Sequence, residues 1–278
     1  MSKWRKYLIG TWSWKRPFYS LLSIYLLLLV IVLFFADTLI FPAPVGTYDD
    51  SLEHLILLEN EREQQVAAAY FKGSADQPTL LWSHGNAEDL QSASLLLQHM
   101  SDNQGYNILA YDYPGYGLSE GKPSEQGCYD NISVAWDYLT EDLAVPQDKI
   151  IIVGQSVGSG PSVWLAAQAE VKPAGLVLIA PFQSVNRVPF GVNVFPKDRF
   201  PNIKRIASVD APLLVIHGDK DRVIKPSHGK AIYDAHLGDK TLTQVKNAGH
   251  NDIWGADIVS QSLFRFVDDK TQSSTKRK

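Results

Sequence analysis

A serine, an aspartate and a histidine in surroundings suited to acyl-transfer chemistry lie at three separate points of the chain. Ser156 is the centre of a Gly-x-Ser-x-Gly pattern at residues 154–158, with a β-branched run before it and small residues after it. A serine hydroxyl is a weak nucleophile until a base removes its proton, and an acid must hold that base in the correct tautomer. Asp221 and His250 follow in that order. This pattern predicts a catalytic triad in which Ser156 attacks, His250 transfers the proton and Asp221 orients the imidazole.

Each of these residues has a plainer interpretation when it is taken alone. Asp221 also suits a solvated turn, and His250 suits a loop that satisfies it by hydrogen bonds. Asp219 is a rival for the acid, because spacing alone does not exclude it. The prediction depends on the combination, since the three residues follow predicted strands in the order Ser, Asp, His.

The other histidines are predicted to be structural or exposed: His84 and His217 as loop-shaping residues, and His54, His99, His228 and His236 on strand or helix surfaces.

Strands that alternate with helices must position these residues. Apolar runs without polar alternation are typical of parallel strands covered on both faces, which predicts a doubly wound, mainly parallel α/β sheet. The turn after the strand that ends near residue 153 needs Gly154 and Gly158, because a Cβ there would collide with a neighbouring element. Functional groups in such a sheet gather at the carboxyl ends of the strands. The predicted strands are 53–58, 65–71, 79–83, 106–111, 150–153, 175–180, 212–216 and 241–245; the predicted helices are 88–103, 124–143, 159–169, 226–237 and 257–268.

Three short segments resemble motifs of one superfamily. They are Ser-His-Gly-Asn-Ala at 83–87, Gly-Gln-Ser-Val-Gly-Ser-Gly-Pro at 154–161 and His-Gly-Asp-Lys-Asp at 217–221. Over roughly residues 53–267 the chain resembles the α/β-hydrolase superfamily, and within it small membrane-anchored abhydrolase-domain serine hydrolases of the prolyl-oligopeptidase and acyl-protein-thioesterase-like branch. The resemblance implies that the acid is the last residue of the third motif, Asp221. The backbone N–H of Val157, the residue after the nucleophile, is expected to bind the oxyanion, and the resemblance implies the backbone N–H of Asn86 as the second donor. No metal or cofactor is expected.

The segment 182–211 is the candidate for a cover over Ser156. It is too short for an independent cap domain, yet it is long and apolar enough for a small lid that accepts acyl chains or other hydrophobic groups. The equal alternative is that its aromatic residues, Phe182, Phe190, Phe195 and Phe200, simply cover the sheet.

An apolar segment near the N-terminus has the length of a membrane span. Residues 18–36 carry no charge, and residues 1–17 before them carry basic side chains and no acid. The positive-inside rule then predicts a single-pass membrane protein with a cytoplasmic N-terminus and a periplasmic or lumenal catalytic domain. An uncleaved signal anchor is favoured over a cleavable signal peptide because bulky Phe34 stands where the cleavage site needs a small residue. The expected organisation is a basic N-terminus at 1–17, the anchor at 18–36, a linker at 37–48, a hydrolase domain at 49–269 and a disordered polar tail at 270–278.

The amino-acid composition limits the kinds of partner and metal site that the chain can have. A net charge of −4 gives no overall basic field for nucleic acid, and the single cysteine, Cys128, excludes an intramolecular disulfide or a Cys-based metal cluster. Cys128 is expected to be a buried helix residue. The predicted function is a membrane-anchored serine hydrolase that cleaves carboxylic ester or thioester bonds of a small-molecule or lipid-like substrate, with its oligomeric state left open. The alternatives are a serine peptidase of the same fold and a catalytically silent scaffold.

Overall fold

A long apolar helix forms the first of two compact units. The computed structural model describes residues 14–43, 46–189 and 191–275, and the chain divides into units at residues 1–39 and 40–278. Helix α1 (Arg16–Ile40) has 25 residues. An 18-residue stretch within it has a mean hydropathy of 2.7, and no residue of that stretch is buried. At 1.5 Å per residue it is about 37 Å long, enough to cross the apolar core of a bilayer. This exposure contradicts a buried core helix and is compatible with a membrane anchor. Most of the predicted basic segment, residues 1–13, lies outside the described residues.

An eight-stranded sheet forms the centre of the second unit, in the order β1-β2-β4-β3-β5-β6-β7-β8. The first two strands form an antiparallel pair, and β2 is also antiparallel to β4. All later pairs are parallel, which confirms the mainly parallel sheet. The strands are β1 (Leu55–Glu59), β2 (Gln65–Phe71), β3 (Thr79–Ser83), β4 (Asn107–Tyr111), β5 (Ile150–Gln155), β6 (Gly175–Ile179), β7 (Leu213–Gly218) and β8 (Lys240–Val245).

Helices cover both faces of this sheet. Side chains alternate between the faces along β5, so Ile152 packs in one apolar cluster and Ile151 in the other. Helices α3, α4 and α6 contribute to the first cluster, and α2 and α7 to the second. The sheet is therefore doubly wound. The helices are α2 (Leu90–Gln104), α3 (Glu125–Asp137), α4 (Ser159–Ala166), α5 (Asn202–Arg205), α6 (Pro226–Ala235) and α7 (Asp257–Thr275).

The C-terminal helix is longer than expected. Helix α7 continues to Thr275, so the expectation of disorder from residue 270 is wrong for 270–275, and residues 276–278 lie outside the described part. The segment 257–275 contains neither glycine nor proline, so nothing in its backbone ends the helix earlier. The Lys270 ammonium also bonds the Asp239 carboxylate, which holds this part of the helix against the turn before β8.

Two histidines of the last α/β unit lie deeper than the sequence indicates. His228 and His236 are both buried, so their predicted surface positions are wrong, although both make structural hydrogen bonds. His228 Nδ1 accepts the Gln183 backbone N–H at 3.3 Å, and His236 Nε2 donates to the Ala211 carbonyl at 2.9 Å. His54 and His99 are exposed, and Cys128 is buried on α3, as predicted.

Candidate active site

The turn after β5 holds Ser156 in a conformation that side chains rarely adopt. Its φ is +52°, in the left-handed region, where a non-glycine residue costs about 1–3 kcal/mol and persists only when its surroundings enforce it. A short 3₁₀ turn over Ser156–Gly158 follows, and α4 begins at Ser159. Pro161 therefore lies in the first turn of α4, where its missing N–H costs no helical hydrogen bond.

Close packing explains both glycines of this turn. A Cβ on Gly154 would lie 2.6 Å from the Gly158 carbonyl oxygen, and a Cβ on Gly158 would lie 2.2 Å from the Ser83 carbonyl oxygen. Both distances are too short for any Cβ. The same contact shows that the turn after β5 abuts the segment that follows β3.

Hydrogen bonds join the three residues predicted from the chain order. Ser156 Oγ lies 2.9 Å from His250 Nε2, and His250 Nδ1 lies 2.7 Å from Asp221 Oδ2. Ser156 and His250 are partly exposed, whereas Asp221 is buried. The rival acid, Asp219, does not reach the imidazole and instead accepts the backbone N–H of Asn247. This geometry suits a base that is open to substrate and an acid that is shielded from water.

Three hydrogen bonds and a nearby histidine surround the Asp221 carboxylate. Its Oδ1 accepts the backbone N–H groups of Val223 and Ile224 at 2.9 and 2.8 Å. Its Oδ2 faces His250 and, at 3.4 Å, His217 Nε2. Burial alone would raise the pKa of Asp221, but the hydrogen bonds from His217, His250 and Ile224 hold that pKa well below its ordinary value. Asp221 is therefore ionised at neutral pH and can stabilise an imidazolium.

The segment after β3 carries Asn86, one of the two predicted oxyanion donors. Its side chain is held at both ends, since Nδ2 donates to the Ile40 carbonyl at 2.5 Å and Oδ1 accepts the Tyr116 hydroxyl at 2.9 Å. No hydrogen bond of the described residues engages the Asn86 backbone N–H. Val157, which carries the other predicted donor, lies in the adjoining turn after β5.

A buried ion pair between His84 and Asp112 stabilises the segment after β3. His84 Nδ1 lies 2.8 Å from the Gly85 carbonyl, and His84 Nε2 lies 3.0 Å from Asp112 Oδ1. Neither partner can donate, so both ring nitrogens must carry protons. Burial by itself would lower the pKa of His84, but the hydrogen bond and charge of Asp112, with the Gly85 carbonyl, raise that pKa. His84 thus shapes its loop, as predicted. Asp112, which follows β4, was not singled out by the sequence.

The candidate lid is fastened to α3 through Glu125. The Glu125 carboxylate accepts the Phe200 backbone N–H at 2.9 Å and the Tyr129 hydroxyl at 2.6 Å, and it lies 3.8 Å from Arg199. Phe200 is fully buried against Gly160. Phe182 is buried too, so these two rings cover the sheet, whereas the stretch at 191–194 is largely exposed. Phe190 lies outside the described residues.

In the part of the chain that the structure describes, no cluster of three or more His, Cys, Asp or Glu side chains is arranged to hold an ion.

Comparisons with known proteins agree with this architecture. A family model described as the α/β hydrolase fold matches residues 78–199. The α/β-hydrolase domain-containing protein aho-3 of Caenorhabditis elegans is 41% identical over 192 residues, which cover 68% of this chain and 57% of that protein. The α/β-hydrolase domain-containing protein 17B of Xenopus tropicalis is 37% identical over 226 residues, covering 80% of this chain and 76% of that protein. Its human counterpart is 41% identical over 207 residues, covering 73% and 71%.

Solved structures show the same fold at low sequence identity. The esterase Pf2001 of Pyrococcus furiosus superposes with a TM-score of 0.66 at 16% identity, covering 83% of this chain and 99% of that one. Est1E of Butyrivibrio proteoclasticus, solved with ferulic acid bound, gives a TM-score of 0.64 at 16% identity, covering 77% and 98%. At such identities the likeness concerns the fold alone. Together with the relatives of higher identity, it places the chain in the α/β-hydrolase superfamily, among the α/β-hydrolase domain-containing proteins.

Proposed function

We propose that this protein is a membrane-anchored serine hydrolase that cleaves carboxylic ester or thioester bonds through an acyl-enzyme. The observation that carries the proposal is the unbroken hydrogen-bond series from Ser156 through His250 to Asp221, at a turn that holds the serine in a strained conformation. Strain of this kind needs enforcement by its surroundings, and it is typical of functional sites.

The chemistry follows from these contacts. Ser156 Oγ attacks the carbonyl carbon while His250 Nε2 takes the hydroxyl proton, and Asp221 stabilises the imidazolium. The backbone N–H groups of Asn86 and Val157 bind the oxyanion, a contact worth about 2.7–4 kcal/mol per donor. The intermediate then expels the alcohol or thiol, which receives the proton from His250. Water, deprotonated by the same histidine, attacks the acyl-enzyme and releases the acid.

Esters and thioesters are favoured over peptides for two reasons. The described hydrolase unit carries only the short segment 182–211 as a cover and no large gating domain that would restrict peptides. Two proteins with the same fold are named as esterases, Pf2001 of Pyrococcus furiosus and the esterase domain of a Rhodothermus marinus protein. A peptidase of the same fold and a silent scaffold are the competing functions, and the intact series of Ser156, His250 and Asp221 disfavours the scaffold.

A substrate panel distinguishes these functions. The solubilised full chain is incubated with p-nitrophenyl esters, acyl thioesters and peptidyl amides, with Ser156→Ala as the control. We expect turnover of esters or thioesters that Ser156→Ala abolishes. Faster cleavage of amides would identify a peptidase, and a wild type as inactive as Ser156→Ala would identify a scaffold.

We also propose that the active site faces the periplasm, lumen or exterior. The span is preceded by five basic residues and no acid within residues 1–17, and positive flanks are retained in the cytoplasm. Helix α1 has the length and apolarity that such an anchor needs. A C-terminal reporter active only outside the cytoplasm should give signal, and one active only in the cytoplasm should be silent. A strong cytoplasmic signal would reverse the orientation and the accessible substrates.

A further inference from the structure

A series of polar side chains outside the predicted triad links the three segments of the site. Glu88 Oε2 accepts the Gly85 backbone N–H at 2.7 Å, and Glu88 Oε1 accepts Gln155 Nε2–H at 3.1 Å. Gln155 Oε1 in turn accepts Trp254 Nε1–H at 2.9 Å. The series thus runs from the segment after β3, through the residue before Ser156, to the loop that carries His250.

The direction of each hydrogen bond in this series is fixed by chemistry. An ionised carboxylate only accepts and an indole N–H only donates, so the Gln155 amide has a single orientation that satisfies both neighbours. Gly85 adds a close fit, because a Cβ there would lie 3.1 Å from Glu88 Oε2 and 3.4 Å from Gln155 Nε2. The far end is tied to the core, since the Trp254 ring packs on buried Trp82 at 5.9 Å between ring centroids.

Each end of the series adjoins a reacting group. Gly85 immediately precedes Asn86, Gln155 immediately precedes Ser156, and Trp254 follows His250 on the same loop. Because Glu88 occupies the Gly85 N–H, that N–H is not available to an oxyanion, which leaves this task to Asn86. Glu88, Gln155 and Trp254 are only partly buried, so the series is not part of the hydrophobic core.

The geometry points to Glu88 as a positioning residue that, through Gln155 and Trp254, holds the oxyanion segment in register with the nucleophile and the base. Glu88 acts through these neighbours and does not itself touch the reacting atoms. This inference rests on the proposed function. It predicts that Glu88 is needed for stabilisation of the transition state and is not needed for substrate binding. A misplacement of about 1 Å at a catalytic group can cost about 10²-fold in rate.

Steady-state kinetics with the best ester or thioester of the panel test the inference. We expect Glu88→Ala to lower kcat by about 10- to 100-fold with little change in KM, because the oxyanion donor loses its register. Glu88→Gln should retain more activity than Glu88→Ala, because its remaining oxygen still accepts one of the two hydrogen bonds. It should not reach the wild type, because its NH₂ group faces the other donor. Glu170→Gln, at an exposed site after α4, is the matched control and should behave like the wild type.

A double-mutant cycle separates positioning from a general loss of structure. If Glu88 acts through Gln155, the double variant Glu88→Ala/Gln155→Ala should be hardly slower than either single variant. Additive losses would overturn the inference, as would a Glu88→Ala enzyme with unchanged kcat. Should Glu88→Ala fail to fold by near-ultraviolet circular dichroism, Glu88→Gln takes its place in the cycle with Gln155→Ala, with the same expectation.

The rate of fluorophosphonate labelling tells failure of this inference from failure of the proposed function, because the probe needs no knowledge of the substrate. A wild type that is not labelled would overturn the proposed function and this inference with it. A wild type that is labelled, with Glu88→Ala labelled equally fast, would overturn this inference alone.

Discussion

At the scale of single residues, hydrogen-bond partners decide which ring nitrogens of a histidine carry protons. His84 faces two acceptors and is therefore held as an imidazolium, with Asp112 as its counter-ion. His236 has the opposite surroundings, since its Nδ1 accepts the Gly238 backbone N–H at 2.9 Å and must carry no proton. His250 directs Nδ1 to Asp221 and Nε2 to Ser156, which is the arrangement that a base for the serine hydroxyl requires.

Two aspartates of one turn give a matched pair for testing the acid. We expect Asp221→Asn to lower kcat by about 10⁴, because the amide stabilises the wrong tautomer of His250. Asp219→Asn should have little effect, since its amide oxygen still accepts the Asn247 N–H. The measurement is kcat for both variants on one substrate, with folding checked by circular dichroism. A larger loss from Asp219→Asn would move the role of acid to that residue.

At this scale, the sequence predicts the reactive residues, because they follow strands within recognisable motifs. It does not predict the residues that hold them in position. Ser156, Asp221 and His250 are suggested by their order, and the structure brings them together. Glu88 and Gln155 are 67 residues apart in sequence. Gln155 stands beside Ser156 in the Gly-x-Ser-x-Gly pattern, but nothing in the sequence near either residue indicates that they meet, because only the folded sheet places β3 beside β5.

At the scale of elements, strands were predicted more accurately than helix ends and the lid. Buried parallel strands need continuous β-branched and apolar runs, and such runs are visible in β3, β5, β6 and β7. The polar residues after 269 resemble a disordered tail in the sequence, yet they continue α7 to Thr275, because the segment contains neither glycine nor proline. The fastening of 182–211 by Glu125 depends on contacts with α3 that local sequence does not encode.

The lid fastening predicts a change in protease sensitivity. Glu125→Ala removes the acceptor of the Phe200 N–H and a carboxylate that lies 3.8 Å from Arg199, so the segment near residues 199–205 should open more often. We expect faster tryptic cleavage after Arg199, Lys204 or Arg205 than in the wild type. Glu141→Ala, at an exposed acid after α3, is the control. Equal cleavage of the two variants would show that Glu125 does not hold the lid.

His236, the residue directly after helix α6, is a buried histidine that links stability to pH. Burial, and then the charge of Lys240, lower the pKa of His236 in the folded state. Its contribution to stability is therefore present above the unfolded pKa of about 6.5 and is lost as pH falls through the lower folded value. His228, whose pKa is lowered chiefly by burial, contributes with the same sign.

The measurement is the free energy of unfolding of the detergent-solubilised chain between pH 7.5 and pH 5. We expect His236→Gln to lose less stability over this interval than the wild type, because the glutamine does not titrate. Parallel losses in the two proteins would exclude His236 as a source of the pH dependence.

At the scale of the whole molecule, the residues of the candidate site lie together at the carboxyl ends of the parallel strands of the hydrolase unit. Strands β3, β5, β7 and β8 are parallel, so the residues that follow them meet at their carboxyl ends. The side chains of β3 are buried throughout, and those of β5 are buried up to Gly154, so the segments that carry Asn86 and Ser156 start from well-packed supports. Helix α1 forms a separate apolar unit, compatible with a membrane anchor.

Covalent labelling shows whether Ser156 is the nucleophile of the proposed serine hydrolase. The solubilised full chain is treated with a fluorophosphonate, digested, and searched by mass spectrometry for the modified residue. We expect one phosphonylated serine, Ser156, with no adduct in Ser156→Ala and slower labelling in His250→Ala. An adduct on another serine, or labelling that persists in Ser156→Ala, would contradict this assignment.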